Sequence, residues 1–204
     1  MSKAYPPGGT YFDSKKSFAD VPVDAAKDNA ISTTEFLDAA HTVADLFDVL
    51  GSAAFKPVKS DILGNIQKVK QRQLEAPLDS ENLQDLCRNE LKTKKHTATE
   101  GLLWLVRGLD FTAQALRRNL TNQTEELSVS FRDAYGNTLK PHHSFVIKPL
   151  FSAAMSATPY RKDFYAKLGD DQERVNRELG LWLDGLEKDV SILKEFQGRK
   201  EAKW

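Results

Sequence analysis

From about residue 32 onward, apolar positions recur every three or four residues, the period of α-helices laid against a core. Phe36, Ala40, Val43, Phe47 and Leu50 form the first stripe. Ser32-Thr-Thr-Glu35 precedes it and matches a capping box, in which hydroxyl and carboxylate satisfy free backbone donors. Gly51 follows it and suits a helix end. A second helix is predicted over about 58–74 (Val58, Ile62, Ile66, Val69) and a third over about 81–94 (Leu83, Leu86, Cys87, Leu91). The fourth, about 97–120, differs. Its Leu102, Leu103, Trp104, Leu105, Val106, Leu109 and Phe111 surround the axis, so it belongs at the centre. A fifth is predicted over about 123–139. A sixth begins near Pro141 and continues to Thr158 with a kink at Pro149. A short seventh covers about 160–168. The eighth, after Asp170-Asp171, carries Val175, Leu179, Trp182, Leu186, Val190, Leu193 and Phe196 and ends at Gly198.

No strand or hairpin signal stands out, so the fold class is all-α. Residues 1–30 are punctuated by Pro6, Pro7, Gly8, Gly9 and Pro22 and show no sustained period. They read as a loosely structured N-terminal arm, anchored at most by Tyr11, Phe12 and Phe18. The expected organisation is therefore this arm followed by one helical domain over 31–204.

Charge narrows the function. The 204 residues carry 29 Lys and Arg against 29 Asp and Glu. Net neutrality disfavours a partner held by phosphate neutralisation, so no nucleic acid is expected. The one cysteine, Cys87, permits no internal disulfide. No apolar run has transmembrane length and no signal peptide is visible at Met1, so a cytoplasmic protein is expected.

A search for catalysis finds little. Di-metal bundles need two Glu-x-x-His pairs and two further carboxylates, and only Asp38-Ala-Ala-His41 has a related shape. No phosphate loop, dinucleotide loop, zinc pattern or nucleophile elbow is present, and no cofactor is expected. Cys87 sits in an apolar stripe and reads as packing. Three features remain. Asp61, Asn65 and Lys68 share one polar stripe of the second helix, which is either a solvated face or a binding edge. Trp104 on the central helix is either core or platform. Pro141-His-His-Ser-Phe145 is either a binding rim or a surface turn.

Taken in order, these pieces resemble the glycolipid transfer protein family. They are Asp61-Ile-Leu-Gly-Asn65-Ile-Gln-Lys68, Trp104-Leu-Val-Arg-Gly-Leu109, His143, and Pro159-Tyr-Arg-Lys-Asp-Phe164. The match continues upstream through Phe36-Leu-Asp-Ala, Gly51-Ser, Phe55 and Pro57, covering about residues 30–197. Within the family the chain is similar to the fungal heterokaryon-incompatibility type.

The resemblance implies a two-layer helical sandwich of about eight helices enclosing an apolar lipid pocket. It implies a non-enzymatic carrier that binds glycosphingolipids and moves them between membranes, touches membranes transiently, and works as a monomer. Carried over by position, Asp61, Asn65 and Lys68 would bond the sugar and the ceramide amide, Trp104 would lie under the first sugar ring, and His143 would bond the amide carbonyl. Leu103, Phe111, Phe131, Val146, Leu150, Phe151 and Met155 would line the pocket, although the same residues also describe a plain core. Phe145 stands where animal relatives usually have Trp and would dock on the bilayer, with Lys148, Arg161 and Lys162 near it in sequence. Two alternatives stay open: a helical interaction module, and a carrier preferring phosphorylated sphingolipids such as ceramide-1-phosphate.

The chemistry suits a neutral sugar. Hydroxyls donate and accept, and Asp, Asn and Lys together supply both roles. The hydrocarbon sets the larger energy, because burial is worth ~0.8 kcal/mol per methylene. A carrier must therefore offer the chains a dry slot, and the headgroup contacts then select the lipid.

Overall fold

The computed structural model describes residues 5–204. Eight α-helices stand among them: α1 Thr33–Leu50, α2 Lys56–Glu75, α3 Leu83–Lys92, α4 Thr97–Thr121, α5 Leu127–Asn137, α6 Ile147–Ser156, α7 Arg161–Ala166 and α8 Gln172–Gly198. α2, α5 and α8 all pack along α4, α1 packs on α2, and α6 packs on α5. α4 is central for the reason its sequence gives: Leu102, Leu105, Val106, Leu109 and Phe111 point different ways from its axis and all are buried. The result is an all-α two-layer sandwich.

The helix ends follow local chemistry. Gly51 takes a left-handed conformation, φ 75° and ψ 4°, and closes α1. Asp171 caps α8 by accepting from the Glu173 and Arg174 amides, both at 3.1 Å. The expected capping box at α1 takes another form, because the Ser32 hydroxyl donates to the Glu35 carboxylate instead of accepting from the backbone.

Three further expectations are corrected. The sixth helix does not begin near Pro141. His142 and His143 both donate their backbone N–H to the Leu139 carbonyl, at 3.0 and 3.1 Å, and residues 139–146 turn before α6 starts. Pro149 therefore falls in the first turn of α6, where its missing N–H costs nothing and no kink is needed. The described part of the N-terminal segment is not loose. The Tyr11 amide donates to the Leu168 carbonyl at 2.7 Å, and its hydroxyl donates to the Thr42 carbonyl at 3.2 Å. Phe18, buried, meets the edges of Phe36 and Trp182 with centroids 5.7 and 6.0 Å away. Gly185 of α8 is a glycine for this contact, since an added Cβ would sit 2.8 Å from the Phe18 carbonyl carbon. Finally, two short strands do exist. β1 Val23–Asp24 pairs antiparallel with β2 Ala30–Ile31, turned by Asp28 and Asn29 at positive φ. A ladder two residues long leaves no period to read.

Between the layers runs a continuous file of rings. Phe47 meets Phe55 (5.6 Å), Phe55 meets Phe131 (6.1 Å), Phe131 meets Phe111 (5.6 Å) and Phe111 meets Tyr135 (6.5 Å). Tyr135 stacks on Phe151 at 5.3 Å, and Phe151 meets His143 at 4.5 Å. Separately, Asp189 of α8 is wholly buried, and neither of its carboxylate oxygens has a partner among the described residues. Burial pushes its carboxyl up to about 7, with Lys188 pulling the other way.

Candidate functional site

The polar stripe of α2 is held as a relay. Asn65, only 3% exposed, donates from Nδ2 to Asp61 Oδ2 at 3.2 Å and accepts from Lys68 Nζ at 3.2 Å on Oδ1. Asp61 and Lys68 face solvent on either side of it. The protein around Asp61 raises its carboxyl above the usual range, and Lys68 opposes that shift. The stripe thus presents a carboxylate, an amide and an ammonium already oriented by one another.

Gly101 brings this stripe to α4. A Cβ there would lie 3.0 Å from Lys68 Cβ and 3.4 Å from the Asn65 carbonyl oxygen, so the glycine lets the Lys68 stem cross α4 closely where any side chain would press on it. Trp104 follows one helical turn later. Its ring is half enclosed and carries three neighbours. His143 stacks on it at 5.9 Å and 19°, His142 approaches edge-on at 6.4 Å, and the Arg107 guanidinium sits 4.9 Å from its centroid.

His143 is the more enclosed of the adjacent histidines. Burial lowers its pKa, and the nearby His142 and Lys148 lower it further, so the ring is neutral around pH 7. Its Nδ1 lies 3.2 Å from the Tyr135 hydroxyl. Tyr135 was not legible as a site residue, because its partner lies eight residues on, across an irregular turn that no periodicity marks. Gly101 was likewise invisible to spacing, whereas His142 lies within the Pro141–Phe145 stretch that the sequence singled out.

The apolar residues divide into three groups. Phe111, Phe131, Phe151 and Met155 lie in the interior file or against it, all buried. Phe145, Val146 and Leu150 are instead exposed, Phe145 by 85%, and form an apolar face at the start of α6. A cleft of about 450 Å³ joins this face to the interior, lined by Phe145, Pro149, Tyr135 and Met155 among others and edged by Arg132, Lys140 and Lys148. Leu103 stands apart from both groups. It is half-buried and lines a groove of about 140 Å³ with Phe196, Ala202 and Trp204, and a second of about 290 Å³ with Arg107 and His142, the neighbours of Trp104. Arg161 and Lys162 also leave Phe145, as they lie beyond the far end of α6.

Among the described residues no trio of His, Cys, Asp or Glu is placed to hold a metal, and no helix is long and apolar enough to cross a membrane. The site offers hydrogen bonds, one stacking surface and an apolar opening beside them.

Known proteins resemble this chain along most of its length. A glycolipid transfer protein of Aureobasidium melanogenum is 71% identical over 202 residues, covering 98% of this chain and 99% of the relative. The crystal structure of HET-C2, a fungal glycolipid transfer protein, superposes with a TM-score of 0.91 at 66% identity, covering 93% of this chain and 97% of that one. A structure of FAPP2, described as selecting simple glycosphingolipids with the same fold, superposes with a TM-score of 0.83 at 32% identity, covering 93% and 95%. The family profile for glycolipid transfer protein matches residues 31–170, more than half the chain, and the chain belongs to the glycolipid transfer protein family.

Proposed function

We propose that this protein is a non-enzymatic carrier that takes a simple, neutral glycosphingolipid from one membrane and delivers it to another. The observation that carries this reading is the Asp61–Asn65–Lys68 relay placed, through Gly101, beside Trp104. A pyranose ring stacks its C–H face on the indole while its hydroxyls donate to Asp61 and accept from Lys68. Each neutral hydrogen bond contributes ~0.5–1.5 kcal/mol, so selectivity needs the whole set.

The ceramide amide falls to His143. When the Tyr135 hydroxyl donates to Nδ1, the ring proton rests on Nε2 and points a donor at the amide carbonyl. A neutral imidazole suits that task, and its depressed pKa keeps it neutral. The chains enter by the cleft at Phe145 and part the ring file inside. Phe145, Val146 and Leu150 rest on the bilayer during exchange, and the protein acts as a monomer in the cytoplasm.

Arg107 gives a reason to test phosphorylated lipid as well, since no carboxylate pairs with it among the described residues. The decisive experiment is vesicle-to-vesicle transfer of galactosylceramide and ceramide-1-phosphate, side by side. Transfer of the galactosyl lipid alone, or much faster, is expected. Preference for ceramide-1-phosphate would reverse the headgroup assignment. Transfer of neither lipid would favour an interaction module.

A further inference from the structure

A polar cleft of about 600 Å³ lies where the start of α5, α7 and the start of α8 meet. It is separate from the headgroup site. Arg132, midway along α5, donates to the Ser156 hydroxyl at 2.7 Å, which places the middle of α5 by the end of α6, and α6 itself spans roughly 15 Å at ~1.5 Å per residue from the docking face.

The chemistry of this cleft is unusual for this protein. Arg117 puts its Nε and Nη2 on the Glu187 carboxylate, both at 2.8 Å, and Arg118 puts the same edge on Glu125 at 2.7 and 2.8 Å. Arg161 carries the same two-donor edge, yet its Nε and Nη2 are buried with no partner among the described residues. Its guanidinium lies 4.0 Å from the ring centroid of Tyr165. Tyr165 is 2% exposed, and its hydroxyl, near enough to the Arg161 guanidinium to be influenced by it, makes no well-formed hydrogen bond among the described residues. Buried donors without partners forfeit their hydration for nothing, unless they serve a ligand. The two carboxylates lining the cleft are engaged elsewhere. Glu126 accepts the Arg161 backbone N–H at 2.8 Å, and Asp170 accepts the Tyr5 hydroxyl at 2.8 Å.

We propose that this cleft binds an oxyanion, either a phosphate monoester or a carboxylate, gripped by the Arg161 fork with Lys162 at its rim. The fork matches two oxygens of such a group in one plane. The ligand reaches it by turning the guanidinium outward about its outer torsions, off the face of Tyr165. The Tyr165 hydroxyl, released from the guanidinium, then donates a neutral hydrogen bond that completes the set.

The test is nuclear magnetic resonance on the full, isotope-labelled chain, following backbone amides across residues 161–176. Inorganic phosphate and citrate probe a free anion. Phosphatidylcholine vesicles with and without phosphatidic acid probe a lipid headgroup. Saturable shifts with the soluble anions support the site and name a soluble ligand; shifts only with phosphatidic acid support it and name a lipid. Arg161→Gln should remove the response. Arg161→Lys, which keeps the charge and loses the fork, should weaken it at least tenfold and serves alone if the glutamine variant fails to fold. Shifts that never saturate, that survive Arg161→Gln, or that keep full affinity in Arg161→Lys would overturn the proposal.

Discussion

The imidazole of His143 lies nearly parallel to the indole of Trp104, 19° between planes and 5.9 Å between centroids. Protonation of a ring so placed should quench Trp104 emission. Burial, His142 and Lys148 all disfavour the imidazolium, so the quenching midpoint should fall below the ordinary histidine value of ~6.5. Fluorescence titration of the protein and of His143→Gln checks this, and the difference should vanish in the variant. Tyr135→Phe should move the midpoint and slow glycolipid transfer by a few-fold, because it frees the ring to change tautomer.

Asp61 is the acceptor end of the relay, and its bond from Asn65 is 3.2 Å long. Replacing it by valine removes a charged acceptor worth ~1.5–3 kcal/mol in a ligand hydrogen bond, so glycolipid transfer should drop roughly ten- to a hundredfold. Circular dichroism should show the helices intact, since Asp61 faces solvent. Normal transfer by this variant would remove α2 from the headgroup site.

Phe145 is 85% exposed and packs on nothing that folding requires. Phe145→Ala should therefore leave thermal unfolding unchanged while weakening partition onto phosphatidylcholine vesicles several-fold, ~1 kcal/mol for a partly inserted ring. Equal partition in a sedimentation assay would transfer the docking role to Val146 and Leu150.

Asp189 makes a prediction about stability. Its carboxyl titrates at about 7 in the folded chain and near 3.9 when unfolded. Between those values the unfolded state has lost the proton and the folded state keeps it, so stability falls as pH rises through that window. Above it the folded chain holds a buried, unpaired charge, a penalty on the order of 4 kcal/mol at most. Asp189→Asn should thus be more stable than the parent at pH 8 and nearly equal at pH 4. Urea melts at the two pH values measure the difference.

Much of this molecule was legible before any coordinates. α1 to α4 and α8 announce themselves because each buries one stripe or, for α4, most of its circumference. The Asp61, Asn65, Lys68 and Trp104 set was legible only through a family likeness, since the same residues could line a solvated face. What escaped was whatever depends on distant partners. The N-terminal segment reads as loose because Pro and Gly interrupt it, yet Phe18 is fixed by Phe36 and Trp182, residues far along the chain. Pro141 looked like a helix start, but the Leu139 carbonyl collects two amides and turns the chain first.

The ring file from Phe47 to His143 bears on how such a carrier would work thermodynamically. An interior lined ring against ring is dry and dense, like the hydrocarbon core of a bilayer. A hydrocarbon tail entering it trades contacts of one kind for contacts of nearly the same worth. Loading and unloading would then be close to balanced, so cargo would flow whichever way the two bilayers differ in composition, and the protein would level gradients without consuming fuel.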